Sequence, residues 1–218
     1  MPGDLAHLLL LADGRFPAGG HAHSGGLEPL AATGRVRDVP TLEAFLRGRA
    51  ATGGAVSAAF AAAASLATRF GELDAELDAR LPSAAVRSAS RTLGRQLLRT
   101  ARAVWPAPAW DGLGAAPHQP IVLGAVCAAA SLDPHAAAHA ALHEAVTGPA
   151  TAAVRLLGLD PHAVHAALAR LGPLLDDLAT TAAGHARTAP ADLPALSAPL
   201  LDIAAEHHAT WEVRLFAS

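Results

Sequence analysis

Apolar residues recur at helical spacing along most of the chain. In residues 83–104, Val86, Leu93 and Leu97 are separated by seven and four positions, with arginines between them. This is the pattern of an amphipathic helix with one apolar face. Alanine and leucine, the strongest helix formers, dominate the remainder of the sequence. The pattern predicts an all-α fold: a single compact domain over residues 1–218 with roughly eight to ten helices, since the mean helix has about 11 to 12 residues.

Capping residues and prolines indicate where these helices begin and end. Ser, Asp and Thr accept hydrogen bonds at a helix N-cap, and Pro is tolerated in the first turn. The sequence predicts helices from Asp4 to Ala12, from Thr41 as N-cap after Pro40, from Ser83 to about Val104, after Asp133 and Asp160, from Pro173 to Ala186, and from Pro199 to about Val213.

Three segments interrupt the helical pattern. Residues 13–28 form a glycine-rich turn that leads Glu28 into the next helix, and Pro17, Gly19 and Gly26 are expected to fix its path. The pair Gly53-Gly54 predicts a break in the helix after Thr41. The loop at residues 105–119 is rich in Pro and Gly and is a possible internal boundary of the domain.

Composition excludes several classes of function. All 16 basic residues are arginine, so there is no lysine for a P-loop or for Schiff-base chemistry. The net charge of −3, with arginines not interleaved with aromatic residues, argues against nucleic acid as a partner. The N-terminus lacks a basic signal-peptide region and no apolar run reaches about 20 residues, so we expect a cytoplasmic protein without a membrane span.

The histidines and serines are weak candidates for chemistry. His135, His139 and His143 lie along one helix face and could hold a metal ion weakly, or could simply form the polar face of that helix. Ser24 lacks the Gly-x-Ser-x-Gly context of a hydrolase nucleophile. The sequence therefore predicts no catalytic residue and no tightly bound cofactor.

Two further features suggest protein partners, and each has a simpler explanation. The ladder Arg87, Arg91, Arg95, Arg99 and Arg102 is either a solvated face opposed by carboxylates of residues 72–78 or a surface for an acidic partner. The apolar tail around Trp211, Leu215 and Phe216 either docks another protein or packs on its own core.

Five blocks resemble the urease accessory protein F family, of the actinobacterial type. They are residues 11–28 (LADGRFPAGGHAHSGGLE), 90–98 (SRTLGRQLL), 117–124 (PHQPIVLG), 152–156 (AAVRL), and His208 with 214–218 (RLFAS). The chain departs from the family pattern at residues 158–162, at Ala209 and at Ala217. The resemblance implies that the motif or partner-binding residues are Pro17, Gly19, Gly20, His23, Ser24, Gly26, Glu28, Arg91, Gly94, Arg155, His208, Trp211, Arg214, Leu215 and Phe216.

The same resemblance implies a function. Members of that family are all-α, usually homodimeric adaptors without catalysis, which bind the D-type (or H-type) accessory protein and the GTPase accessory protein G. The assembly docks on apo-urease and assists nickel insertion, with nickel handled only transiently. The alternative is a His-rich metallochaperone that carries nickel itself, and stoichiometric tight nickel binding by the isolated chain distinguishes the two.

Overall fold

The chain folds as helices, as the sequence predicts. The computed structural model describes the backbone of residues 2–218 and the side chains of residues 5–107 and 110–218, and within these residues it contains no β-strand. The ten α-helical segments are α1 (Pro2–Ala12), α2 (Leu27–Ala32), α3 (Val39–Arg49), α4 (Ala55–Ala64), α5 (Gly71–Ala79), α6 (Ala84–Val104), α7 (Gln119–Ala129), α8 (Pro134–Leu157), α9 (Pro161–Gly184) and α10 (Pro199–Ala209). The all-α prediction is confirmed.

Side-chain caps fix four of the helix starts, those of α3, α6, α8 and α9. Ser83, Asp133 and Asp160 each accept a hydrogen bond from a backbone N–H in the first turn of α6, α8 and α9, respectively. The prediction for α3 was wrong, because its N-cap is Asp38 rather than Thr41. The Asp38 carboxylate accepts from the Thr41 N–H at 2.9 Å, and the Thr41 hydroxyl accepts from the Asp38 N–H at 3.1 Å. This reciprocal capping box places Thr41 inside the helix.

Glycine and proline do not end the helices where the sequence predicted. The backbone continues from α3 to α4 through one π-helical segment, Ala50–Gly54, so the predicted break at Gly53-Gly54 is wrong. Pro173 lies inside α9 and does not begin a helix. A proline removes one backbone donor, but burial of both flanking halves against the same neighbours can hold the helix together. At the C-terminus, α10 ends at Ala209, before the predicted Val213.

Pro149, inside α8, is compensated by a side chain from another helix. Proline has no N–H to give to the carbonyl of Ala145, four residues earlier. The Nε of Arg49, at the end of α3, donates to that oxygen at 2.9 Å. Burial lowers the pKa of Arg49 to about 10, so its guanidinium is still charged at neutral pH. Arg49 therefore supplies the hydrogen bond that α8 lacks.

Two clusters of buried apolar residues share α8 and α9. The larger joins α4, α5, α6 and α7 to the first half of α8 and includes Phe60, Leu97 and Leu123. The smaller joins α2 and α3 to the second half of α8 and includes Leu42 and Phe216. Helices α6 and α7, on either side of the 105–119 loop, pack together in the larger cluster. No described helix is long and apolar enough to cross a membrane.

Candidate partner-binding site at the glycine-rich turn and the tail

The glycine-rich turn follows a path that only glycine adopts easily. Gly19, Gly25 and Gly26 have φ of +84°, +62° and +88°, in the left-handed region. At Gly19 an added Cβ would lie 1.5 Å from Oε1 of Gln96 on α6. Next to it, the carbonyl of Pro17 accepts a hydrogen bond from the Thr100 hydroxyl of α6 at 2.7 Å. The turn is thus fixed against α6, whereas at Gly20 nothing lies within 4 Å of an added Cβ.

The turn delivers Glu28 to the end of the chain. The carboxylate of Glu28 is buried and accepts hydrogen bonds from the backbone N–H groups of Leu215 at 2.7 Å and Phe216 at 2.9 Å. Its Oε2 also lies 3.0 Å from Nε2 of the buried His208 on α10. A buried carboxylate requires such donors. Glu28 therefore connects α2, α10 and the tail in one site.

Ser24 and His23 hold the last residues of the tail. The N–H and the hydroxyl of Ser24 both donate to the carbonyl oxygen of Ser218, at 2.5 and 2.9 Å. Nδ1 of His23 lies 2.6 Å from the Ser218 hydroxyl, and burial, with the nearby His21, lowers the pKa of His23. The backbone of Ala217 also donates to the turn, at Ala22.

The two faces of the tail differ sharply. Phe216 is buried in the smaller cluster, and the guanidinium of Arg155 lies 4.9 Å from the centre of its ring. Leu215 is 55% exposed and Val213 is 89% exposed. Trp211 is half-buried against the rings of two histidines, of which His208 is 4.9 Å away. Of the two alternatives for the tail, packing on the core is therefore right for Phe216, which cannot serve as a docking residue, while Leu215 and the exposed Arg214 face solvent.

Arg91 and Gly94 lie apart from this site, on the opposite side of α6. Arg91 donates to Asp74 at 3.0 Å and to Asp78 at 2.6 Å, both on α5. One interpretation of the arginine ladder placed carboxylates of residues 72–78 opposite it, and Asp74 and Asp78 are two of these. Arg87 also lies 3.8 Å from Asp78. The N-terminal part of the ladder, Arg87 and Arg91, thus belongs to a structural ion-pair network with α5.

The same network contains a buried histidine that the sequence did not single out. His118 is fully buried, with Nε2 3.0 Å from Asp78 and Nδ1 3.0 Å from the Ser90 hydroxyl. Burial lowers the pKa of His118, although Asp78 opposes this. A Cβ on Gly94 would lie 2.0 Å from the carbonyl of Pro117. Gly94 therefore lets the start of α7 approach α6, and the PHQP block was the signal for this contact.

The three candidate metal ligands do not converge. The rings of His135 and His139 are 4.8 Å apart, and His139 lies 3.3 Å from Asp176 on α9. His143 lies instead beside the backbone of Ala12. Among the described residues no group of three or more His, Cys, Asp or Glu side chains could hold a metal ion.

Comparisons with known proteins identify the family of the chain. Residues 36–172 match the model of the UreF family. The chain is 48% identical over 215 residues to urease accessory protein UreF of Mycobacterium sp. (strain JLS), covering 98% of this chain and 99% of that protein. It is 43% identical over 208 residues to urease accessory protein UreF of Mycobacterium tuberculosis (strain ATCC 25618 / H37Rv), covering 94% of each. The chain belongs to the UreF family.

Proposed function

We propose that this chain is a urease maturation factor: a cytoplasmic, non-catalytic adaptor that acts with the D/H-type accessory protein and the GTPase accessory protein G to insert nickel into apo-urease. The observation that supports this most strongly is similarity over nearly the whole length to proteins named urease accessory protein. Two of the sequence blocks that resemble the family, residues 11–28 and His208 with 214–218, form one connected site around Glu28. A site made of buried backbone contacts suits an adaptor.

We assign the docking surface for the D/H-type partner to α10 and the outer face of the tail. On α10, Leu200 and Ile203 are 62% and 65% exposed, and Val213 and Leu215 add apolar surface from the tail. Each such side chain contributes roughly 1.5 to 3 kcal/mol when fully buried. Because Glu28 holds the tail backbone in place, a partner has less chain to order on binding.

The position of α10 is fixed by a contact with α6. The carboxylate of Glu206 accepts from the Ser83 hydroxyl at 2.6 Å and from the N–H of Ala85 at 2.9 Å. These bonds and the His208–Glu28 contact, two residues further along α10, fix the middle of the docking surface. A partner therefore has less of α10 to order on binding, which favours specific binding.

The buried network on α6 supports a non-catalytic assignment. Ser90, His118 and Asp78 are connected in the order of a hydrolase triad. The Ser90 oxygen, however, already accepts from the N–H of Gln119 at 3.3 Å, and His118 is fully buried. A nucleophile must reach a substrate carbon, and these groups instead join α6 to the start of α7.

We further propose that the isolated chain binds nickel only weakly and that it forms a homodimer. His135 and His139 offer two nitrogens at i and i+4, one short of the three protein ligands usual at a metal site with an open position. Tight nickel binding would also oppose transfer to urease.

The proposed homodimer is tested by sedimentation velocity, which measures the oligomeric state directly.

Co-expression with the urease subunits and the D/H- and G-type accessory proteins tests the function. We expect the purified urease to contain nickel and to be active only when this chain is present. The variant Leu200→Asp/Ile203→Asp should fold normally yet fail to co-purify with the D/H-type partner. Equal nickel content in urease made without the chain would refute the proposed function.

A further inference from the structure

Helix α6 concentrates positive charge in a protein that is acidic overall. It contains five arginines and no acidic residue, whereas the whole chain has 16 basic and 19 acidic side chains. Arg87 and Arg91 contact the carboxylates of α5. Arg95, Arg99 and Arg102, the outer arginine stripe, are exposed and form no ion pair with any described residue.

The members of the outer arginine stripe share one face. With 100° and 1.5 Å per residue, they lie within about 60° of one another and span about 10 Å along the axis. Among the described residues, Arg95 donates only to the Thr92 hydroxyl, and Arg102 only to the carbonyl of Trp110. Both acceptors are neutral, so no described residue balances the charges of the stripe.

Two fixed elements border the outer arginine stripe. The glycine-rich turn packs on one side of α6, through Gly19 against Gln96 and Pro17 against Thr100. Helix α5 lies on the other side, at Arg91. The stripe is therefore a bordered surface on a rigid helix.

Like charges at i and i+4 destabilise an isolated helix, so the exposed pair Arg95 and Arg99 lowers the stability of α6. Arginine side chains bind carboxylates with two parallel hydrogen bonds. An acidic helix with carboxylates one turn apart matches this spacing. The net charge of −3 argues against a polyanion such as nucleic acid as the partner.

We propose that the outer arginine stripe docks an acidic helical segment of a protein partner in the urease-maturation assembly. This inference depends on the proposed function for the identity of the assembly. It concerns a different surface from α10 and the tail, so one partner can occupy each.

The test compares two triple variants of the full chain. Arg95→Glu/Arg99→Glu/Arg102→Glu reverses the stripe. The control, Arg35→Glu/Arg69→Glu/Arg187→Glu, changes the net charge equally. It alters exposed arginines that form no ion pair with a described residue. Binding to the purified D/H-type protein, G-type protein and apo-urease is measured by biolayer interferometry at low and high salt.

We expect the stripe variant to lose affinity for one of the three by roughly tenfold, because three exposed ion pairs are together of that order. The control should stay within about twofold, and high salt should weaken the wild type towards the variant. The inference is overturned if both variants lose affinity equally or if neither does. It is also overturned if only binding to a DNA duplex or to phosphatidylserine vesicles depends on the stripe.

Two measurements keep the result interpretable. Circular dichroism verifies folding, and if the reversed variant unfolds, Arg95→Gln/Arg99→Gln/Arg102→Gln removes the charge without reversing it and is held to the same expectation. Urease activation separates the two proposals. A wild type that activates urease, beside a stripe variant that binds as the control does, refutes this inference alone. A wild type that neither binds nor activates refutes the proposed function and this inference with it.

Discussion

Replacing two adjacent tail residues with alanine separates a core role from a docking role. Phe216 is 4% exposed and its ring lies beneath the Arg155 guanidinium, whereas Leu215 is 55% exposed. Removing a buried Phe side chain costs about 3 to 5 kcal/mol through lost burial and the cavity that remains. Loss of the cation–π contact adds about 0.5 to 2 kcal/mol. Leu215→Ala removes exposed surface and should change stability by under about 1 kcal/mol.

Thermal unfolding followed by circular dichroism measures the difference. For a chain of this size about 1 kcal/mol shifts the melting temperature by roughly 2 to 4 °C, so Phe216→Ala should melt about 10 °C or more below wild type. Leu215→Ala should melt within a few degrees of wild type but bind the D/H-type partner more weakly. Equal melting temperatures for Phe216→Ala and wild type would show that the tail does not belong to the core.

Three other predictions follow from the buried contacts. Gly94→Ala should destabilise by about 1 to 3 kcal/mol or more in urea unfolding because the backbone before α7 cannot retreat, whereas Gly148→Ala, with open space at its Cβ, should be neutral or stabilising. Burial raises the pKa of Glu144 to about 7, so its contribution to stability is present below the unfolded value near 4.5 and lost as pH rises through 7. Glu144→Gln should remove a loss on the order of 3 kcal/mol between about pH 4.5 and 7, and an unchanged pH profile would contradict the raised pKa of Glu144. Calorimetry should find only weak nickel binding, and submicromolar binding abolished by His135→Ala/His139→Ala would favour the metallochaperone.

Helices and caps could be predicted from the sequence because their determinants are local. Ser83, Asp133 and Asp160 cap helices that begin one residue later, and each needs only its own next three residues to do so. Pro173 misled the prediction because proline is more common in the first turn of a helix than in its interior. Only the packing of both halves of α9 shows that the helix is continuous.

The site could be predicted in its residues but not in its arrangement. Glu28 and His208 belong to recognisable blocks. They are 180 positions apart, however, and nothing in the sequence indicates that one binds the other. The tail showed two apolar neighbours, and whether Leu215 or Phe216 faces the core depends on where Glu28 fixes the backbone. The burial of His118 likewise depends on a close approach that Gly94 permits.

The Arg49–Ala145 hydrogen bond makes the integrity of α8 a tertiary property. A peptide of residues 134–157 alone should fray or bend near Pro149, since no local donor replaces the missing N–H. In the whole protein this hydrogen bond forms only when α3 is packed beside α8, so the stability of the middle of α8 depends on α3. Hydrogen exchange should record this dependence: amides on either side of Pro149 should lose protection together with those of α3, as one cooperative unit.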